Sequence, residues 1–173
     1  MSKYLSKHLR HRPGRLGLEL EPGGWIGVEE LLEASVRHSF PVSRDELEEV
    51  VGRNDKRRFA FDESGTRIRA QQGHSIPVDL GLEPIEPPSV LYHGMDEHSV
   101  QTILENGLHK MGRHRVHPSP DVAAAKKVGS RRGRPVILEV EAGDVHREGW
   151  TFYLSGNGVW LVEHVPPRYL RRI

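Results

Sequence analysis

The sequence predicts an α+β protein of two lobes, and three observations predict it. Residues 1–76 carry three amphipathic helical patterns followed by two stretches of period-two alternation. Residues 77–89 hold Pro77, Pro84, Pro87 and Pro88 without clear periodicity. Residues 90–173 then alternate short apolar runs with capped helical patterns. The expected division is a first lobe at 1–76, a Pro-rich linker at 77–89 and a second lobe at 90–173.

In the first lobe, Tyr4, Leu5, His8 and Leu9 fall three and four apart and give a helix one apolar stripe over about 3–11. Pro13 disfavours helix at Arg12, so Arg10 and His11 belong to the last turn. Successive helical residues point about 100° apart, so these two cannot both face the core. A permanent cation beside a titratable imidazole suits phosphate, although the helix dipole alone also favours cations there. Gly23-Gly24 then makes a turn into a short extended piece at Trp25–Val28, and Glu29 to Arg37 reads as a helix. Ser43 and Glu46 form a capping box for a helix ending near Gly52. Arg58–Phe61 and Thr66–Ala70 alternate around Glu63-Ser64-Gly65, a hairpin signal. Three helices and a hairpin make a winged-helix pattern.

The second lobe opens on Val90-Leu91-Tyr92-His93-Gly94, a short strand running into a turn. A helix capped by Asp96 or Ser99 closes at Gly107. Another is expected with Ser119 as N-cap and Pro120 at its first position, stopping at Gly129. Strands follow at Pro135–Val140, Thr151–Leu154 and Gly158–Val162, the last two joined through the tight turn Gly156-Asn157-Gly158.

Composition bounds the function. The 173 residues are 36% hydrophobic and contain no cysteine, so disulfides and thiolate zinc sites are excluded. Mean hydropathy is −0.57, with no run long enough to span a membrane and no apolar leader segment, so a cytoplasmic protein is expected. Net charge is only +1, yet the cations are segregated. Residues 1–15 contain Lys3, Lys7, Arg10, Arg12 and Arg15 with no acid, and 110–134 contain eight Lys or Arg against Asp121 alone. Such segregation can give one basic face for a polyanion, or simply a solvated surface.

Several polar groups sit at element ends. Arg58 opens a hairpin strand, Gly73-His74-Ser75 follows the hairpin, His93 precedes a glycine that permits close backbone approach, and Gly129-Ser130-Arg131-Arg132-Gly133 sets two guanidiniums between glycines. Each also has a purely structural reading. His114-Arg115-Val116-His117 has metal-ligand spacing, but a third ligand is missing from any recognisable spacing and Arg113 and Arg115 would repel a cation, so no metal is expected. Neither a nucleophile elbow, a Walker loop nor GxGxxG is present.

Seven signatures in order resemble one family, the NAD-dependent RNA 2′-phosphotransferases known as Tpt1 or KptA. They are Ser6-Lys7-His8-Leu9-Arg10-His11 with Pro13, Gly24-Trp25, Asn54-Asp55-Lys56 with Arg58-Phe59, Ile68-Arg69-Ala70 with Gln72-Gly73-His74-Ser75, Leu91-Tyr92-His93-Gly94, Val128-Gly129 with Arg131 and Gly133, and Ser155 with Asn157-Gly158-Val159-Trp160-Leu161. The resemblance implies an N-terminal winged-helix RNA lobe and a C-terminal ADP-ribosyltransferase-like lobe with a split β-sheet. It implies a catalytic set of Arg10, His11, Arg58 and Arg131, with Lys7, Arg12, Arg69, Gln72 and His74 expected to bind RNA or phosphate. NAD, consumed as co-substrate, would be held by His93, Gly94, Met95, His117, Ser119, Ser155, Asn157 and Gly158. Met95, Arg115 and Pro118 depart from the threonine, histidine and larger apolar residue that the family pattern leads one to expect.

The implied reaction has two steps. An internal 2′-phosphate of RNA attacks the ribose carbon that bears nicotinamide, giving an ADP-ribosylated 2′-phosphate. The neighbouring ribose hydroxyl then attacks phosphorus, leaving 2′-hydroxyl RNA and ADP-ribose 1″,2″-cyclic phosphate. No metal is needed, a tRNA-type substrate is implied, and a monomer is expected. The alternatives are an ADP-ribosyltransferase that stops after the first step, capping nucleic-acid or protein groups, and a nonenzymatic winged-helix nucleic-acid binder.

Overall fold

Leu5, His8 and Leu9 form the buried face of α1 (Ser2–Arg10), as the stripe predicts. The computed structural model describes residues 1–53, 56–110 and 115–173, with the side chain of Arg132 excepted. It divides into two units, Met1–Gly81 and Leu82–Ile173. The architecture is α+β, and the sheets among the described residues are antiparallel.

In the first unit α1 is followed by a 3-10 turn at Pro13–Leu16, β1 (Trp25–Gly27), α2 (Val28–Arg37), α3 (Arg44–Gly52), β2 (Phe59–Phe61) and β3 (Arg67–Ala70). The capping box of α3 is complete, because Ser43 Oγ accepts the Glu46 N–H while Glu46 accepts the Ser43 N–H. The hairpin strands β2 and β3 pair as expected, and β1 adds a third strand beside β3, in the order β1-β3-β2. Ile68 stands opposite both Ile26 and Phe61 and packs with Leu5, Leu9, Leu31, Leu47 and Phe59 in one core.

The second unit contains β4 (Leu91–Asp96), α4 (Glu97–Asn106), β5 (Leu108–His109), α5 (Val122–Gly129), a 3-10 turn at Ser130–Arg132, β6 (Pro135–Val140), α6 (Ala142–Arg147), β7 (Phe152–Leu154), β8 (Trp160–Val162), β9 (His164–Val165) and β10 (Leu170–Arg172). Strands pair in the orders β10-β6-β4, β5-β9 and β7-β8. Leu91, Leu138, Val140, Phe152 and Val162 anchor a separate core. Asp96, not Ser99, caps α4.

Three boundaries differ from expectation: β4 continues in register with β6 through Gly94 to Asp96 instead of turning at Gly94, β8 begins at Trp160 because Gly158 and Val159 belong to the turn, and α5 starts later than Ser119. Asp121, rather than Ser119, caps α5, its Oδ1 accepting the Ala124 N–H at 2.7 Å. Ser119 is instead drawn into extended pairing with Tyr92, through backbone bonds of 2.6 and 2.8 Å. The Pro-rich stretch is shared between the units. The Asp79 and Leu80 carbonyls accept hydrogen bonds from Gly23 and Arg69, whereas Ile85 donates to Phe152 and the Ser89 carbonyl accepts from Gly143. No helix among the described residues is long and apolar enough to cross a membrane.

Each unit carries a histidine whose pKa is lowered, chiefly by burial. His8 packs against Tyr4 with its Nδ1 3.3 Å from the Arg12 carbonyl, and Lys7 adds a smaller repulsion. His164 packs against Trp150 and His109, and His109 adds to the burial effect. Both resist protonation when folded, so the unfolded chain binds more protons and stability falls as pH drops below their ordinary value of 6.5. The melting temperature is expected to decline through that range, and less steeply in His8→Gln and His164→Gln. An unchanged acid slope in both variants would contradict this account.

Candidate active site

In the first unit the candidate groups gather around the loop at 71–75. The Ser75 N–H donates to the Arg10 carbonyl at 2.9 Å, and the Gln71 N–H to the Arg58 carbonyl at 2.8 Å. One short loop thereby ties the end of α1 to the residue that opens β2. Gly73 has φ +85°, and a Cβ there would stand 3.5 Å from Arg10 Nη1, so the chain passes close over the guanidinium. The same guanidinium carbon lies 5.8 Å from the Phe59 ring centroid.

His11 closes α1 as its C-cap residue, and its Nδ1 is 2.9 Å from Ser75 Oγ. A hydroxyl donates or accepts, so this contact orients the ring in either tautomer. Arg58 is half-buried and follows Arg57, a non-glycine residue at φ +41° whose left-handed backbone costs about 1 kcal/mol.

The other expected phosphate contacts are placed differently. Lys7 and Arg12 are exposed, and Gln72 is half-buried. His74 is 3% exposed, with its Nε2 3.4 Å from where a Gly24 Cβ would stand. Arg69 lies 4.5 Å from the Trp25 ring centroid and donates to the Gly23 and Leu80 carbonyls, both at 3.3 Å, and burial lowers its pKa. Its guanidinium braces the turn before β1. Asn54 and Asp55 of the third signature lie outside the described residues, as does His114 of the HxxH spacing. The described residues contain no cluster of three or more metal-ligating side chains.

In the second unit, β4 pairs with β6 so that His93 faces Leu138 and Gly94 faces Ile137. The close approach at Gly94 is made by α5. A Cβ on Gly94 would stand 1.7 Å from the Ala125 carbonyl oxygen, and one on Gly129 would stand 2.9 Å from both Met95 N and Met95 O. Strand and helix therefore meet backbone to backbone, and the turn bearing Arg131 leaves directly from that contact. Arg131 itself is exposed.

Val116 pairs with Val162 and Ser119 with Tyr92, so residues 116–119, His117 among them, run from β8 to β4. Met95 is a core residue at 7% exposure, and Pro118 is buried. The Arg115 guanidinium carbon lies 3.8 Å from the Tyr153 ring centroid. Ser155 is 3% exposed and builds the β7–β8 turn, with its Oγ accepting the Val159 N–H at 3.0 Å and lying 2.7 Å from Asn157 Oδ1. Gly158 completes that turn at φ +75°. Gly94, Met95 and Ser155 thus contribute backbone contact, core and turn, while His93, His117, Ser119 and Asn157 carry the polar side chains. Ser75 and Phe59 stood inside recognised motifs, but only the fold shows them against His11 and Arg10.

A family model described as "RNA 2'-phosphotransferase, Tpt1 / KptA family" matches residues 1–164. The chain belongs to this family. Curated relatives named "Probable RNA 2'-phosphotransferase" include one from Trichormus variabilis, 59% identical over 170 residues, covering 98% of this chain and 93% of the relative. Another, from Streptomyces coelicolor, is 56% identical over 171 residues, with 99% and 93% covered. A third, from Nostoc punctiforme, is 54% identical over 173 residues, with 100% and 96% covered.

Proposed function

We propose that this RNA 2′-phosphotransferase takes NAD as a consumed co-substrate and transfers to it an internal 2′-phosphate of RNA, with Arg10, His11, Arg58 and Arg131 as its catalytic residues. The first unit is read as a winged-helix RNA-binding lobe and the second as an ADP-ribosyltransferase-like lobe with a split β-sheet. The observation that carries the reading is the loop at 71–75, which bonds to Arg10, His11 and Arg58 together. NAD suits the second unit because His93, His117 and Ser119 stand on segments that pair with one another, with the Ser155–Val159 turn on the hairpin that those segments join.

Bound NAD would supply an electrophilic ribose carbon and, beside it, the hydroxyl that takes the phosphorus. The residues act on the phosphate. Arg10 and Arg58 bind its oxygens in fork geometry, and Arg131 offsets charge as the phosphoryl group moves. A phosphate is already anionic, so its attack requires no carboxylate base. His11 moves the proton of the second step on the Nε2 side of its ring, while Ser75 holds the Nδ1 side. Lys7, Arg12, Gln72 and His74 are assigned to the RNA and phosphate, and Arg69 braces the turn before Trp25, against which His74 lies.

The test is to incubate the protein with a short RNA bearing one labelled internal 2′-phosphate, with and without NAD and with EDTA present. Release of label as ADP-ribose cyclic phosphate only with NAD is the expected result. Label retained on ADP-ribosylated RNA would identify a transferase that stops halfway. A complete lack of NAD-dependent product would overturn the reading.

A further inference from the structure

We propose that the Tyr4–Phe40 stack of the first unit is a nucleobase platform for the RNA strand, seating a base about two nucleotides from the phosphate handled at Arg10 and His11. This rests on the RNA reading above and extends it to a part of the surface that the catalytic set does not include.

Phe40 is 40% exposed and lies outside the residues of the core, yet it is held firmly. Its N–H donates to the Ser35 carbonyl at 2.9 Å, and two residues on, the Val42 N–H donates to Ser35 Oγ at 3.1 Å. Between α2 and Phe40, Ser39 adopts φ +59°, a left-handed conformation that an L-residue takes only at a cost. A strained, doubly tied turn that presents an aromatic ring to solvent is more than is needed to cover a neighbour.

The ring is also placed for stacking. Its centroid is 4.1 Å from that of Tyr4, with 14° between the planes, and Tyr4 packs in turn on His8 at 4.6 Å. A flat base added outside Phe40 would continue this column, and base–aromatic stacking tolerates any sequence.

The surroundings are cationic. Lys3 and Lys7 are exposed and flank Tyr4 on α1, His38 is exposed two residues before Phe40, and Lys7, Arg15 and His38 stand close enough to His8 to oppose its protonation. Residues 1–15 contain no acid, and in the last two turns of α2 Glu33 is paired with Arg37 at 3.8 Å. This charge selects a nucleic-acid strand over an apolar peptide.

Helical geometry supplies the register. Tyr4 and His11 are seven residues apart, so they lie on nearly one face and about 10 Å along the axis, a span of about two nucleotides. Lys7 stands between them, positioned for an intervening phosphate.

The experiment measures steady-state kinetics at saturating NAD on a dinucleotide carrying the 2′-phosphate, and on RNAs lengthened on its 5′ or 3′ side. Lengthening on one side is expected to lower KM about tenfold for the wild type. Phe40→Leu keeps an apolar cover on Tyr4 but no flat ring. It should lose most of that gain, with kcat and the dinucleotide KM unchanged. Tyr4→Phe retains both rings and removes a hydroxyl oxygen buried without a hydrogen-bond partner among the described residues, so it should keep the gain. Quenching of 2-aminopurine placed two nucleotides from the phosphate should follow the same pattern by binding alone. If Phe40→Leu retains full length dependence and full quenching, Phe40 is a cover and the proposal fails. Should the wild type turn over no substrate, the functional reading fails, while the quenching comparison still decides the platform.

Discussion

Replacing Gly94 by alanine is expected to unfold the second unit. The added Cβ would lie 1.7 Å from the Ala125 carbonyl oxygen and 2.5 Å from its carbon, far inside any contact distance. Ala125 lies within α5, so its carbonyl cannot swing aside as a flexible side chain would. Relief requires α5 to move away from β4 by more than 1 Å, on the order of what the helix–strand contact can bear before it opens. Gly129, one turn on, adds a second backbone contact against Met95, so the helix cannot pivot about that end. Ordinary overpacking costs about 1–3 kcal/mol, and a backbone obstacle of this kind should exceed that range, against a total stability of roughly 5–15 kcal/mol. Hydrogen exchange would show protection lost across residues 91–96, 122–129 and 135–140. Gly52→Ala, where nothing lies within 4 Å of the new methyl group, serves as the neutral control. A wild-type melting temperature in Gly94→Ala would refute the prediction.

Arg131→Ala should do the reverse, abolishing turnover while leaving the fold intact. The residue is exposed on the 3-10 turn that follows Gly129, so its truncation should change stability by no more than about 0.5 kcal/mol. Removal of a group aimed at developing charge typically lowers kcat about 10²–10³-fold. Arg131→Lys should recover only part of this, because an ammonium keeps the charge but not the bidentate fork. Rates of 2′-phosphate release measured beside melting curves would separate the two effects. Turnover within a factor of a few of wild type would remove Arg131 from the catalytic set.

What could be read in the sequence was local. The Ser43–Glu46 box and the β2–β3 hairpin each depend on residues a few positions apart, and β6 spans Pro135–Val140 as its apolar run predicts. The end of α1 was readable for the same reason, since Pro13 limits the helix from the sequence alone. What could not be read was long-range. Gly94 before a turn suggests room for a ligand, but its neighbour is the carbonyl of a residue thirty-one positions away. Ser119-Pro120 follows the grammar of a helix start, but pairing with Tyr92 overrides it. Arg69 reads as a basic-face residue until Trp25 is found beneath it.

The sharing of the Pro-rich stretch between units has a practical consequence. Leu80 is held by Arg69 and Pro84 pairs with Tyr153, which leaves three residues, 81–83, between the two anchors. Each hydrophobic core draws only on residues from its own side of this point. Among the described residues, a chain opened between Gly81 and Leu82 would sever no sheet and divide no core, so each half is expected to fold when produced by itself.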